Sequence, residues 1–230
     1  MVRLYLFAEG QTEQTFASTL LTPHLANCQV FLDKLILIAH ARKKGYVHRG
    51  GDRKYEPIKD DIMRFLKQEK SSDVFFTTMI DLYAIAPQFP GLDEAKKLCS
   101  NPQEQVEFLE QKFYEDIGDR RFIPYIQLHE YEAYLFCDPT SFNSFYSNCD
   151  REISALQKIA NEYETPELIN DGANTAPSKR IIKYFPAYKR AKASDGPKLA
   201  EKIGLSVIRN RCPHFNQWLA KLESLNDSRP

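Results

Sequence analysis

The chain has 230 residues, 43% of them hydrophobic, and its 31 basic and 31 acidic residues give a formal net charge of zero. That length supports a substantial core, as one large domain or one domain with a small appendage. The charge balance excludes a protein that holds nucleic acid by bulk charge alone, since such affinity rests on neutralising phosphates, but it leaves room for a local basic patch.

Five cysteines, Cys28, Cys99, Cys137, Cys149 and Cys212, are odd in number, widely spaced and without a Cys-x-x-Cys pair. This argues against a disulfide framework or a zinc site and for reduced thiols in a cytoplasmic protein. No apolar stretch approaches the roughly 18 residues of a membrane span, and the start lacks the pattern of a signal peptide. The expectation is a soluble protein without membrane contact.

Residues 2–8 read as a strand, and 13–26 as a helix with Thr12 as N-cap and Glu13 at the positive end of its dipole. A second strand is expected at 35–39, then a helix over 57–69 with Ile58, Ile62, Phe65 and Leu66 at helical spacing. Residues 74–80, rich in β-branched and aromatic side chains, give a third strand. A helix over 103–117 and a fourth strand over 122–128 follow. Alternation of this kind predicts an α/β fold with parallel strands joined by helical crossovers. Beyond residue 138 the pattern turns helical, with helices expected near 150–163, 197–203 and 212–225. The organisation expected is an α/β domain over 1–137 and a helical C-terminal extension over 138–230 packed on the same core. The segment 43–55, basic and carrying Gly45, Gly50 and Gly51, reads as a mobile loop.

Three of the expected strands end in acids: Glu9 after the first, Asp81 after the third, and Glu130 with Glu132 after the fourth. One acid at a strand end is ordinary turn polarity. Several at one carboxyl rim of a parallel sheet converge where α/β proteins bind ligands. Clustered carboxylates repel one another, and Mg2+ prefers oxygen donors, taking one or two protein carboxylates plus substrate phosphate. Glu130 and Glu132 would share a face on a strand but point apart on a helix, so one of the two is expected at the metal.

Several segments together resemble an uncharacterised bacterial family with a Toprim-like fold. They are Glu9-Gly10-Gln11-Thr12-Glu13, Asp81 after its apolar strand, His129-Glu130-Tyr131-Glu132-Ala133, Ile169-Asn170-Asp171, Ala176-Pro177-Ser178-Lys179-Arg180 and Cys212-Pro213-His214-Phe215-Asn216. The Toprim domains of topoisomerases, primases and overcoming-lysogenization-defect (OLD) nucleases are more distant relatives, which bind magnesium through a glutamate after the first strand and an Asp-x-Asp after the third. The resemblance implies that Glu9 and Asp81 are ligands of Mg2+ or Mn2+, with Glu13 and Glu132 as candidates for a second ion. Here Asp81-Leu82-Tyr83 replaces Asp-x-Asp.

Ser178 reads as the cap of a helix carrying Lys179 and Arg180 in its first turn. Cations there oppose the helix dipole, so a bound phosphate accounts for them, with Lys189 close behind. His129 reads as a hydrogen-bonded residue that positions a neighbouring glutamate, with a base or ligand role as the alternative. The loop 42–54 is either a clamp on a nucleic-acid backbone or a solvated loop. Phe215 and Trp218 read as core, and Tyr184 and Tyr188 as packing residues.

The function expected is a Mg2+- or Mn2+-dependent phosphodiesterase cutting DNA or RNA. Glu9, Glu13, Asp81, Glu132 and Lys179 form its catalytic set, and Glu130 is a further metal ligand. By analogy with the OLD nucleases, a partner ATPase and a setting in phage defence are implied. The alternative is a non-catalytic, Toprim-shaped subunit that senses a nucleotide or regulates a partner ATPase.

Overall fold

In the computed structural model, which describes residues 1–38, 41–43, 46–48, 54–169 and 175–227, β1 (Val2–Ala8) runs through the interior of a parallel sheet. Val2, Leu4, Leu6 and Ala8 enter one hydrophobic core and Tyr5 and Phe7 another, as the two-residue period of a strand requires. Burial on both faces is why this strand reads as a continuous apolar run.

The chain then turns at Gly10 into α1 (Gln11–Phe16), passes through a π turn at Ala17–Leu21 and continues as α2 (Thr22–Asn27). This corrects the expected cap: Gly10 holds the N-cap position, and Thr12 lies inside the first turn. Pro23 supplies a reason for the wide turn, because it has no N–H to donate and its ring crowds the carbonyl four residues back. Within the turn, Thr22 Oγ1 donates to the Ala17 carbonyl at 3.1 Å.

The second strand begins earlier than its hydrophobicity predicts. β2 (Val30–Leu37) carries exposed Asp33 and Lys34, which suit its place at the sheet edge and hide it from a search for apolar runs. Leu4 faces Leu32 while Tyr5 faces Lys34, so the strand bulges at Asp33. β3 (Ala41–Lys43) and β4 (Tyr46–His48) form an antiparallel pair inside the segment expected as a loop. Of that segment, residues 44–45 and 49–53 lie outside the described residues.

Next come α3 (Tyr55–Gln68), β5 (Val74–Asp81), α4 (Leu92–Leu98) and α5 (Pro102–Ile117). The single strand expected over 122–128 is two fragments, β6 (Phe122–Ile123) and β7 (Ile126–Gln127), both parallel to β5. Pro124, between them, cannot donate to a ladder. The Thr78 hydroxyl fills the gap: it accepts the Tyr125 N–H at 2.9 Å and donates to the Tyr125 carbonyl at 3.0 Å.

No strand follows β7 among the described residues. Two 3-10 turns, Tyr131–Phe136 and Pro139–Ser144, lead to α6 (Asp150–Asn161), α7 (Pro177–Tyr184), α8 (Tyr188–Ile203), α9 (Leu205–Arg211) and α10 (Pro213–Glu223). α8 is longer than expected because it runs through Pro197 instead of starting there. The carbonyl that Pro197 leaves unpaired, four residues back at Ala193, lies on an exposed residue where water can satisfy it.

The protein is α/β, with a mostly parallel central sheet flanked by helices. Side chains of α3, α4 and α5 join the core under Tyr5 and Phe7; those of α1, α2 and α6 to α10 join the opposite core. The sheet order is β2-β1-β5-β6, with β7 also on β5. The chain goes from β1 to β2 on one side, then crosses back to β5 on the other. The order therefore reverses between β1 and β5, where open α/β sheets form their ligand crevice. No helix among the described residues is long and apolar enough to cross a membrane.

Candidate metal centre

Glu9 leaves the end of β1 and Asp81 ends β5, so the two acids flank the switch point. The Asp81 N–H donates to Glu9 Oε2 at 2.9 Å, tying the two strand ends together through one of the carboxylates. Glu13, in the first turn of α1, folds back over Gly10. A Cβ at residue 10 would lie 2.9 Å from Glu13 Oε2, so any larger residue there would push that carboxylate aside. Glu13 is buried although charged residues rarely are.

The third group of acids comes from a backbone device. His129 leaves β7 with φ of 60°, in the left-handed region that non-glycine residues seldom adopt, and its carbonyl accepts the Tyr83 N–H at 3.1 Å. The turn presents Glu130 and then the 3-10 turn bearing Glu132. Glu130, Glu132 and His129 are all buried.

These carboxylates act on one another. Burial pushes the Asp81 carboxyl well above its ordinary range, and the charges of Glu9, Glu13, Glu132 and Glu130 push it further. Glu13 is raised from 4.5 to about 7 by burial and by Glu9. Asp81 Oδ1 is buried with no hydrogen-bond partner. Unpaired buried carboxylate oxygens are costly, so this cluster is poor at holding itself together and well suited to hold a cation.

Two of the acids are differently occupied. Glu132 Oε1 lies 2.9 Å from Lys192 Nζ and accepts from the Tyr188 hydroxyl at 3.4 Å. Burial still raises Glu132, with Lys192 opposing the rise. Tyr188 and Lys192 are four apart on α8 and share a helix face, which brings both to Glu132. α8 approaches α1 closely at Gly196, where a Cβ would meet the Tyr188 hydroxyl at 3.0 Å and Thr12 Cγ2 at 3.5 Å. Glu130 Oε2 accepts the Ser178 N–H at 2.9 Å.

The structure thus brings together Glu9, Glu13, Asp81, Glu130 and Glu132, and it brings Ser178 to them. The expected phosphate site is arranged differently. The N–H of Ser178 at the start of α7 already faces the Glu130 carboxylate, so an internal anion stands where a ligand phosphate was expected. Arg180 turns away, its Nε donating to the Thr175 carbonyl at 2.6 Å and its Nη2 to the Tyr163 hydroxyl at 3.0 Å. Lys179 and Lys189 are exposed, and no described hydrogen bond or ion pair joins them to the acids. Asn170 and Asp171 lie outside the described residues.

Residues hidden from the sequence reading form a second buried network beside β7. Glu167 accepts the N–H groups of His214 and Phe215, both at 2.9 Å, and so caps α10. Glu110 accepts the Ile126 N–H at 2.8 Å and meets His214 Nε2 at 3.0 Å. Phe215 and Trp218 are core residues, as expected, and the Trp218 indole donates to Thr77 Oγ1 at 2.9 Å.

Residues 8–223 match the domain of unknown function DUF4276. The chain belongs to the DUF4276 family. Among solved structures, this DUF4276 chain is similar to the C-terminal region of the Burkholderia pseudomallei OLD protein, with a TM-score of 0.48, 14% identity, and 99% of this chain and 98% of that one covered. No curated protein matches it.

The acids of this DUF4276 chain fit a hard divalent cation. The donor set is all oxygen, and one of its buried oxygens is unpartnered. Among the described residues, however, the group whose three ligand atoms all lie within 4.8 Å of one another is His24, Cys28 and Glu223, not the acids. The rim carboxylates stand further apart, as mutually repelling charges do.

Proposed function

We propose that this protein is a Mg2+- or Mn2+-dependent phosphodiesterase of the Toprim type acting on DNA or RNA. The observation that carries the reading is the cluster of buried and half-buried, mutually repelling carboxylates at the β1/β5 switch point. Glu9 and Asp81 would hold the ion, with Glu13 beside them. A bound divalent ion supplies charge for a phosphoryl oxygen and lowers the pKa of a coordinated water.

The chain's own residues prepare that site. The Asp81 N–H holds Glu9 through Oε2 and so fixes that carboxylate at the end of β1. Burial of Glu13 and of Asp81 Oδ1 lowers the water around those groups and strengthens the charge interactions there. Lys192 neutralises Glu132 and leaves a single clear ion position rather than two. The missing second aspartate after β5 points the same way. The resemblance of its segments to an uncharacterised bacterial family with a Toprim-like fold, and the more distant one to the OLD nucleases, supports nucleic acid as substrate, a separate ATPase as partner and phage defence as the setting.

A second reading, a non-catalytic regulatory subunit, is favoured by one observation: Glu130 and Glu132 are engaged by Ser178 and Lys192. Incubating the protein with plasmid, single-stranded DNA and RNA, each with Mg2+ or Mn2+, separates the two. Metal-dependent cleavage lost in Glu9→Gln and Asp81→Asn supports the enzyme. Absence of cleavage in every combination overturns it.

A further inference from the structure

Away from the acid rim, the last turn of α2 meets the end of α10. His24 lies in the last turn of α2 and Cys28 caps its end, and Glu223 reaches them from 199 positions beyond His24 along the chain. The ligand atoms of the three residues all lie within 4.8 Å of one another, and all three residues are half-buried, which leaves an entry path for an ion. His24 Nε2 stands 2.5 Å from Glu223 Oε1.

An ion-pair explanation covers only part of this arrangement. Arg209 forks onto Glu223 at 2.7 and 3.1 Å, and that pair needs neither the histidine nor the thiol. Cys28 Sγ has no hydrogen bond among the described residues, yet it is placed against the pair. Its surroundings oppose ionisation: burial raises the thiol, Glu223 and Asp227 raise it further, and Arg209 offsets them in part. A divalent cation reverses that balance, because a coordinated thiol loses its proton outright.

We propose that His24, Cys28 and Glu223 form a binding site for Zn2+ or a similar borderline transition-metal ion. Imidazole nitrogen, thiolate sulfur and carboxylate oxygen are the zinc donor types, whereas Mg2+ takes oxygen alone. Neutral His24 binds the ion through Nε2 with its ring proton on Nδ1, so the hydrogen bond to Glu223 gives way to the two metal bonds, and the thiol proton leaves to solvent as the Zn–S bond forms. Water completes a tetrahedral shell. Arg209 keeps its hold on Glu223 from outside, the place of a residue that orients a ligand. The ion ties α2 to α10 and so joins the two ends of the sequence. Cysteine spacing alone argued against a zinc site; the ligands come from three residue types and two distant helices, so cysteine pairs do not reveal it.

Co2+, the spectroscopic substitute for Zn2+, provides the test on the full chain. One equivalent should give visible bands of tetrahedral intensity and a near-ultraviolet sulfur-to-cobalt charge-transfer band, both bleached by Zn2+. Cys28→Ser should abolish the charge-transfer band, while Cys99→Ser and Glu9→Gln should retain it. His24→Ala should weaken Zn2+ binding by on the order of a hundredfold. Circular dichroism confirms that each variant is folded, as expected for half-buried positions at a helix end. No charge-transfer band in the parent, or a band that survives in folded Cys28→Ser, overturns the site.

Discussion

Among the described residues, two clusters of buried and half-buried carboxylates are held in opposite ways. Glu167 and Glu110 sit beside β7, where each accepts backbone N–H groups and Glu110 also meets His214. Burial still raises the Glu167 carboxyl, but donors built into the fold oppose that rise, as a structural carboxylate requires. At the β1/β5 rim, Asp81 Oδ1 has no donor, and Glu13 is pushed up to about 7 by burial and by Glu9. Buried acids with donors hold a protein together. Buried acids that face one another lower its stability and persist where something else repays the cost.

The contrast is most exposed to failure in paired substitutions. Glu9→Gln and Asp81→Asn each keep shape while removing one charge from the rim. Both should fold, melt no lower than the parent without metal, and lose nucleic-acid cleavage by at least about a hundredfold. Glu167→Ala should do the reverse. It strands two buried N–H groups at about 1–3 kcal/mol each, so the melting temperature drops while any surviving folded protein keeps its metal affinity. Rim variants that melt far below the parent would erase the distinction.

Metal addition sharpens the same comparison. A cation that binds the folded state alone at 100 times its dissociation constant stabilises by about 2.7 kcal/mol. Calorimetric melting in Mg2+ or Mn2+ should show that shift in the parent and in Glu167→Ala, and lose it in Asp81→Asn. A shift retained in Asp81→Asn would move the ion elsewhere.

The pH dependence of the metal-free protein is the next test. Glu13 is raised from 4.5 to about 7 in the folded protein. A raised pKa means that the folded state holds its proton more tightly than the unfolded one. The stability from Glu13 is therefore fully present below about 4.5 and is lost as pH rises through about 7. Melting temperature measured in chelator should fall over that window, and Glu13→Gln should flatten the fall. A parent whose stability rises across the window would contradict the repulsion at the rim.

How far the site could be read in advance follows from the same physics. Glu9 and Asp81 were legible because each ends an apolar run, and the sheet order places those runs side by side. The α/β alternation carried the fold for a similar reason, since β1 and β5 are buried on both faces. β2 was harder: Asp33 and Lys34 are polar because the strand is an edge. β6 and β7 looked like one strand because the break at Pro124 is bridged by Thr78, a tertiary contact. Lys192 and Glu167 were invisible, since their partners lie 60 and 47 positions away and no local pattern announces a distant pair. Lys179 was read from the dipole of α7, yet the charge that meets that helix start is Glu130.

Lys192 and Lys179 give the smallest and most discriminating test. Lys192 sits at 2.9 Å from Glu132 inside the rim, whereas Lys179 is exposed at the start of α7. Each phosphate contact on duplex DNA adds about 0.9 to the slope of log affinity against log salt. If Lys179 touches substrate phosphate, Lys179→Ala makes the slope shallower by about that amount and leaves stability unchanged. Lys192→Met removes the only cation described against Glu132, so its effect should be on stability and metal affinity, with the slope kept. A salt slope altered by Lys192→Met and untouched by Lys179→Ala would put the substrate phosphate over the rim itself. The surface of α7 would then have no part in binding, because its N-terminus is already satisfied from within by Glu130.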